Sequence, residues 1–167
     1  MALFRRSPRL PEDVRRTLDL RRGEKVLATA PLTQGWAVAT TLHLRVLADE
    51  QLQRPWSDVD GARLDPDVGE LRVTWVDGSS PTVLHLDAEH AHALARAVHE
   101  RVQSSVVHTA KVTVPGGAVV RVALRRDSDG GLLTQVLGNG RVDLSDPRTA
   151  ALVDAAEAQV REAAGLS

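Results

Sequence analysis

The chain has 167 residues, of which 43% are apolar, 26% charged and 2% aromatic, and its formal net charge is −1. That length and composition fit one compact domain, or one domain with a small appendage, and exclude disorder of the chain as a whole. No apolar run approaches the ~18 residues that cross a bilayer, and the lack of cysteine excludes disulfides, thiolate zinc sites and cysteine nucleophiles.

Arg outnumbers Lys 19 to 2, Ile is absent and Asn139 is the only Asn, a pattern expected of a GC-rich coding genome. The core must therefore be built from Val, Leu and Ala. With only Phe4, Trp36, Trp56 and Trp75 as aromatics, each Trp carries a large share of local burial, ~150–250 Å² per side chain. Charge is uneven: residues 1–22 hold seven Arg against Glu12, Asp13 and Asp19, a net +4, and the remainder carries −5. The start lacks the apolar h-region of a secretory signal because Arg5 and Arg6 interrupt it, so a cytoplasmic protein is expected. A basic arm of this kind is either a solvated end or a contact for anionic lipid, at about 1 kcal/mol per cation near the surface. Under the lipid reading Leu3, Phe4, Arg5, Arg6, Arg9, Arg15 and Arg16 make the contact, at the inner face of the membrane.

Residues 11–20 predict a short helix, with Pro11 in the first turn and Leu10, Val14 and Leu18 recurring every fourth residue; Gly23 ends it. The period then becomes that of strands. Segments 24–30, 36–41, 43–48, 51–56, 59–64, 71–76 and 82–86 are short and divided by turn residues, among them Gly35, Asp65-Pro66-Asp67 and Asp77-Gly78-Ser79-Ser80-Pro81. Leu71, Val73 and Trp75 alternate with polar neighbours and mark a half-buried strand, with Trp75 in the core. Trp56 is expected as a lid over the following helix, and Trp36 as a partly exposed anchor for a partner. Asp87 reads as an N-cap for a helix over 88–105, whose apolar stripe is Ala91, Leu94, Ala95, Val98, Val102 and Ser105. Strands resume around Val112–Val114, Val120–Leu124 and 132–137, before Asp146-Pro147 opens a final helix with the stripe Leu152, Val153, Ala156, Val160 and Ala163.

Five of the six histidines lie between 85 and 108, which raises a metal or acid–base reading. Helical geometry argues against it. His92 and His99 share a flank but stand seven residues apart, ~10 Å along the axis and too far for one ion. Asp127-Ser128-Asp129-Gly130 and Gly138-Asn139-Gly140 are fragments of calcium and dinucleotide motifs and read as turns. No nucleophile elbow surrounds any serine. The reading is therefore non-catalytic, without cofactor or metal. One basic feature remains, the hairpin 110–126. If Val112 and Val114 face inward opposite Val122 and Val120, then Lys111, Thr113, Arg121, Ala123 and Arg125 share the outer face, with Arg126 at its end. These cations suit an acidic peptide or phosphate, or else guard an exposed sheet against pairing. No aromatic stands among them, so nucleic acid is not expected.

Residues 24–105 resemble bacterial pleckstrin-homology-like (PH/GRAM-like) domains. The likeness lies in Gly23-Glu24-Lys25-Val26-Leu27 opening the first strand, Ala39-Thr40-Thr41-Leu42-His43-Leu44 at the passage from the second strand to the third, Pro55-Trp56-Ser57-Asp58-Val59 in the fourth, and one closing helix. It covers half the chain and implies a bent seven-stranded antiparallel barrel stoppered by the helix, binding phosphoinositides, peptides or proteins. The first loop, Pro31-Leu32-Thr33-Gln34, has no cation where lipid-binding members place them, so the resemblance implies a protein ligand. The whole chain is also similar to actinobacterial proteins in which this unit precedes a small β-plus-helix segment, a likeness that supplies no activity.

The expected protein is thus α+β. It has a basic arm with a short helix (1–23), a PH-like barrel with its helix (24–106), and a small antiparallel sheet with a C-terminal helix (107–167). The expected function is a protein- or peptide-binding adaptor using Trp36, Lys111, Arg121, Arg125 and Arg126, with anionic-membrane association through the N-terminal arm as the alternative.

Overall fold

Pro11 opens the first helix of the computed structural model, which describes residues 8–138 and 142–166. This helix, α1 (Glu12–Thr17), is shorter than the apolar spacing suggests. Leu18 turns into extended backbone (φ −72°, ψ 96°) and is buried, which ends the helix. Seven strands follow in antiparallel meanders: β1 (Val26–Leu32), β2 (Gly35–Thr40), β3 (His43–Leu47), β4 (Leu52–Pro55), β5 (Val59–Asp65), β6 (Glu70–Trp75) and β7 (Thr82–His85). They form a four-stranded sheet in the order β1-β2-β3-β4 and a three-stranded sheet β5-β6-β7, joined by one 3-10 turn at Trp56–Asp58. Among the described residues the strands make separate sheets and not the closed barrel expected from the sequence.

The helix that follows, α2 (Ala88–Ser105), begins where Asp87 caps it: its Oδ1 accepts from the His90 N–H at 2.9 Å. Ala91, Leu94 and Val98 on its apolar stripe join one buried core with residues of both sheets, among them Leu44, Val59 and Val73. Trp56 and Trp75 are buried in the same core, and Trp36 is half-buried at the start of β2. Gly35, which opens β2, has φ +110°, and a Cβ there would lie 1.9 Å from the Leu47 carbonyl oxygen. Only glycine permits β2 to pass so close to β3.

The chain divides into two compact units, Met1–Val102 and Gln103–Ser167, the boundary falling in the last turn of α2. In the second unit β8 (Val106–Thr113), β9 (Val119–Arg126) and β10 (Leu132–Gly138) form an antiparallel sheet in the order β10-β9-β8. Helix α3 (Pro147–Ala163) packs Val153, Ala156 and Val160 against Val120, Val122 and Leu124. Two expectations are corrected here. Val112 pairs with Val120 and Ala110 with Val122, a register two residues from the expected one, because Val114 is already in the turn and donates its N–H to Ala118 O at 2.9 Å. On α3, Leu152 and Ala163 are exposed, and Thr149 takes the inward place beside the cap, its hydroxyl donating to Asp146 Oδ2 at 2.7 Å. The Gly138-Asn139-Gly140 turn falls partly outside the described residues.

Replacing Gly35 by Ala is expected to cost more than about 1 kcal/mol, because the positive φ and the Leu47 carbonyl both oppose a side chain. Urea denaturation measures this; an unchanged midpoint would contradict the close approach. Asp146→Ala removes the α3 cap and is expected to lower the urea midpoint in the same assay.

Candidate functional site

The residues from 8 to 24 do not trail away from the first unit; they lie against its four-stranded sheet. Three ties hold them. The Thr29 hydroxyl donates to the Pro8 carbonyl, Arg45 Nη2 donates to Asp19 O at 3.2 Å, and Glu24 is buried among side chains of β2 and β3. The Glu24 carboxylate accepts from Thr40 Oγ1 at 2.5 Å, from His43 Nδ1 at 2.9 Å, from Arg45 Nη2 at 3.1 Å and from the Arg21 N–H at 3.0 Å. An ionised carboxylate only accepts, so the His43 proton sits on Nδ1. Burial pushes the Glu24 pKa up, but the Thr40 and His43 hydrogen bonds, the Arg21 amide and the Arg45 charge outweigh it and hold the group at about 2. The side chains of Glu24, His43 and Arg45 are all within 4% of complete burial, so this cluster is sealed from solvent.

Between this N-terminal segment and β1 runs an open groove of about 710 Å³. One wall is residues 8–10 with Arg15 and Leu20, and the other is residues 24–29. Residues on one face of a strand alternate, whereas here five consecutive residues from Lys25 to Thr29 border the groove. It therefore follows the edge of β1. That edge carries no strand among the described residues, β2 being the neighbour on the other side. The pairing shifts between Val26 and Ala28, leaving Leu27 as a bulged residue without a partner on β2. Val26 and Leu27 are 37% and 44% exposed. Arg9, Arg15 and Lys25 line the groove, are exposed, and have no carboxylate partner among the described residues. Two neighbouring cations are already matched: Arg16 pairs with Glu12 at 2.6 Å, and Arg45 with Glu24.

The residues singled out in the sequence are scattered by comparison. Leu3, Phe4, Arg5 and Arg6 lie outside the described residues. Arg9 and Arg15 stand at the groove, and Arg16 is held by Glu12. Lys111 and Arg121 are exposed and directly opposite each other across β8 and β9. Arg125 is a correction: expected on an open cationic face, it is only 1% exposed, and donates to Ser105 Oγ at 2.6 Å and Gln135 Oε1 at 3.4 Å. Ala123, expected beside it in solvent, is buried too. Arg126 alternates to the opposite face of β9 from Arg125 and donates to Gly130 O at 3.4 Å. Trp36 is half-buried and does not border the groove.

The clustered histidines are also apart. His90 is taken by its own cap, at 2.6 Å from Asp87, His85 faces Glu70 at 3.4 Å, and His92 and His99 are exposed. The functional reading from sequence passed over Lys25, Leu27 and Leu20 at the groove and the buried His43. No signal existed for the last: in 43–46 the alternation of polar and apolar positions places His43 on a wet face, whereas a second covered face buries both sets. No protein-family model, curated protein or solved structure matches the chain.

Glu24→Gln leaves Arg45 buried without its counter-ion, and a loss of about 3–5 kcal/mol is expected. The Glu24 carboxylate has a lowered folded pKa, so its contribution is complete above the unfolded value near 4.5 and fades as pH falls toward about 2. The gap in melting temperature between the native chain and Glu24→Gln should therefore be widest at neutral pH and close through that window. A gap independent of pH between 2 and 5 would refute the ionised state of Glu24.

Proposed function

We propose that this protein is a non-catalytic binding module that docks another protein in the groove between the N-terminal segment and β1. The observation that carries the reading is the coincidence of an unpaired strand edge, the exposed apolar Val26 and Leu27, and the three unmatched cations Arg9, Arg15 and Lys25. Docking covers the apolar side chains and supplies counter-charges to the cations, and the edge offers backbone donors and acceptors to the partner. The non-catalytic reading draws on the sealing of Glu24, His43 and Arg45, which places this buried acid–imidazole pair out of reach of any substrate. Seven strands in two meanders followed by α2, with one shared core, support the reading of residues 24–106 as a PH-like module.

A photo-crosslinking residue in place of Leu27 tests this in extract of the producing cells. One defined heavier adduct is expected from that position, absent when the same residue replaces Val119, which is exposed in the second unit. The adduct should weaken when Arg15→Glu is added. The same ladder from both positions, or no adduct at position 27, would overturn the reading.

A further inference from the structure

We infer that the occupant of this groove is an extended acidic segment of a partner protein, added to the free edge of β1 as an extra strand. The inference rests on the docking reading above and specifies the partner's chemistry and its mode of binding. Extension follows from the shape of the groove. It is bordered by Lys25 and by the consecutive β1 residues 26–29, the strand part a run of about 10 Å at ~3.3 Å per residue. A helix would bury its apolar stripe against a face, whereas an edge is satisfied by main-chain hydrogen bonds from another strand. Acidity follows from charge. Arg9 and Arg15 stand on one wall and Lys25 on the other, and the single carboxylate bordering the groove, Glu24, is turned inward and neutralised by Arg45. A segment of alternating acidic and apolar residues meets both requirements. Its carboxylates reach the cations of the walls, and its apolar side chains rest on Leu10, Leu20 and the bulged Leu27.

The rest of the edge is closed to pairing. Pro31 near the end of β1 has no N–H to give, which closes the far end of the strand to added pairing. Added pairing is thereby confined to the part of β1 before Pro31, beside the groove cations.

The test uses the full chain and a labelled peptide of roughly eight residues alternating Glu and Val. Fluorescence anisotropy should show saturable binding, lost with added salt and absent for the Lys–Val analogue. Hydrogen exchange should show new protection of amides within residues 25–29, and Arg15→Glu with Lys25→Glu should weaken binding roughly tenfold or more. Arg15 and Lys25 are exposed, so an unchanged melting temperature certifies the fold of the variant. Peptide binding without protection at 25–29 would overturn strand addition. So would binding that the double reversal leaves intact. No peptide binding while the crosslink at position 27 persists would overturn the acidic-strand inference and leave the docking reading standing. Loss of both would end both. Vesicles of phosphatidylglycerol and phosphatidylcholine in roughly a 1:3 ratio that bind where the peptide does not would assign the cations to lipid. A concentration-dependent dimer that masks 25–29 would assign the edge to a second copy of the chain; either result would overturn the inference.

Discussion

A buried carboxylate tolerates very few surroundings, and the first unit is arranged around that of Glu24. Removed from water, it must recover its lost hydration from fixed donors. It finds them in Thr40, His43, Arg45 and the Arg21 amide, which come from β2, β3 and the segment that precedes β1. Such a pair adds little net stability, since the desolvation of both charges offsets much of their attraction. Its consequence is geometric. The donors converge only when residue 24 lies against the start of β3, and this sets where the chain enters β1 and where residues 8–20 must run.

The covering of that sheet follows. An antiparallel sheet commonly leaves one face to water, and β2 and β3 would then alternate between buried and exposed. Instead Ala37, Val38, Ala39 and Thr40 are all buried, as are His43, Leu44, Arg45 and Val46. One set faces the main core with α2. The other includes Val38 and Arg45, and Arg45 bonds both Glu24 and the Asp19 carbonyl of the returning N-terminal segment. With both faces covered, the main chain left open to added pairing lies at the sheet's edges, and the N-terminal segment runs beside that of β1.

These relations explain which parts of the molecule were legible in its sequence. Local signals worked where a local rule decides the outcome. Asp87 and Asp146 cap their helices, α2 spans the residues its period predicts, and each of the seven early strands falls within a few residues of its predicted place. Readings that needed knowledge of a second layer went wrong. Alternation put Arg125 on a face correctly, but a face of β9 is not the same as solvent, and Ser105 and Gln135 enclose the guanidinium. His43 and Arg45 looked like the wet side of a strand for the same reason. The groove was least legible of all, because Arg9, Arg15 and Lys25 are brought together only by the return of the N-terminal segment along β1, and no spacing in the chain announces that return.

Charge illustrates why counting residues is a weaker guide than placing them. The chain is close to neutral, and several of its described arginines are held by carboxylates. Arg54 lies between Asp58 and Asp77, at 3.0 and 2.8 Å, with its guanidinium 4.4 Å from the centre of the Trp75 ring; Arg96 pairs with Glu100 at 2.8 Å. Exposed pairs of this kind contribute little to stability, but each removes a cation from the field that an approaching partner feels. What remains unmatched then counts for more than the net charge. At the groove the remainder is three cations around a few exposed apolar side chains, and such a local excess steers an acidic partner even when the molecule as a whole carries −1.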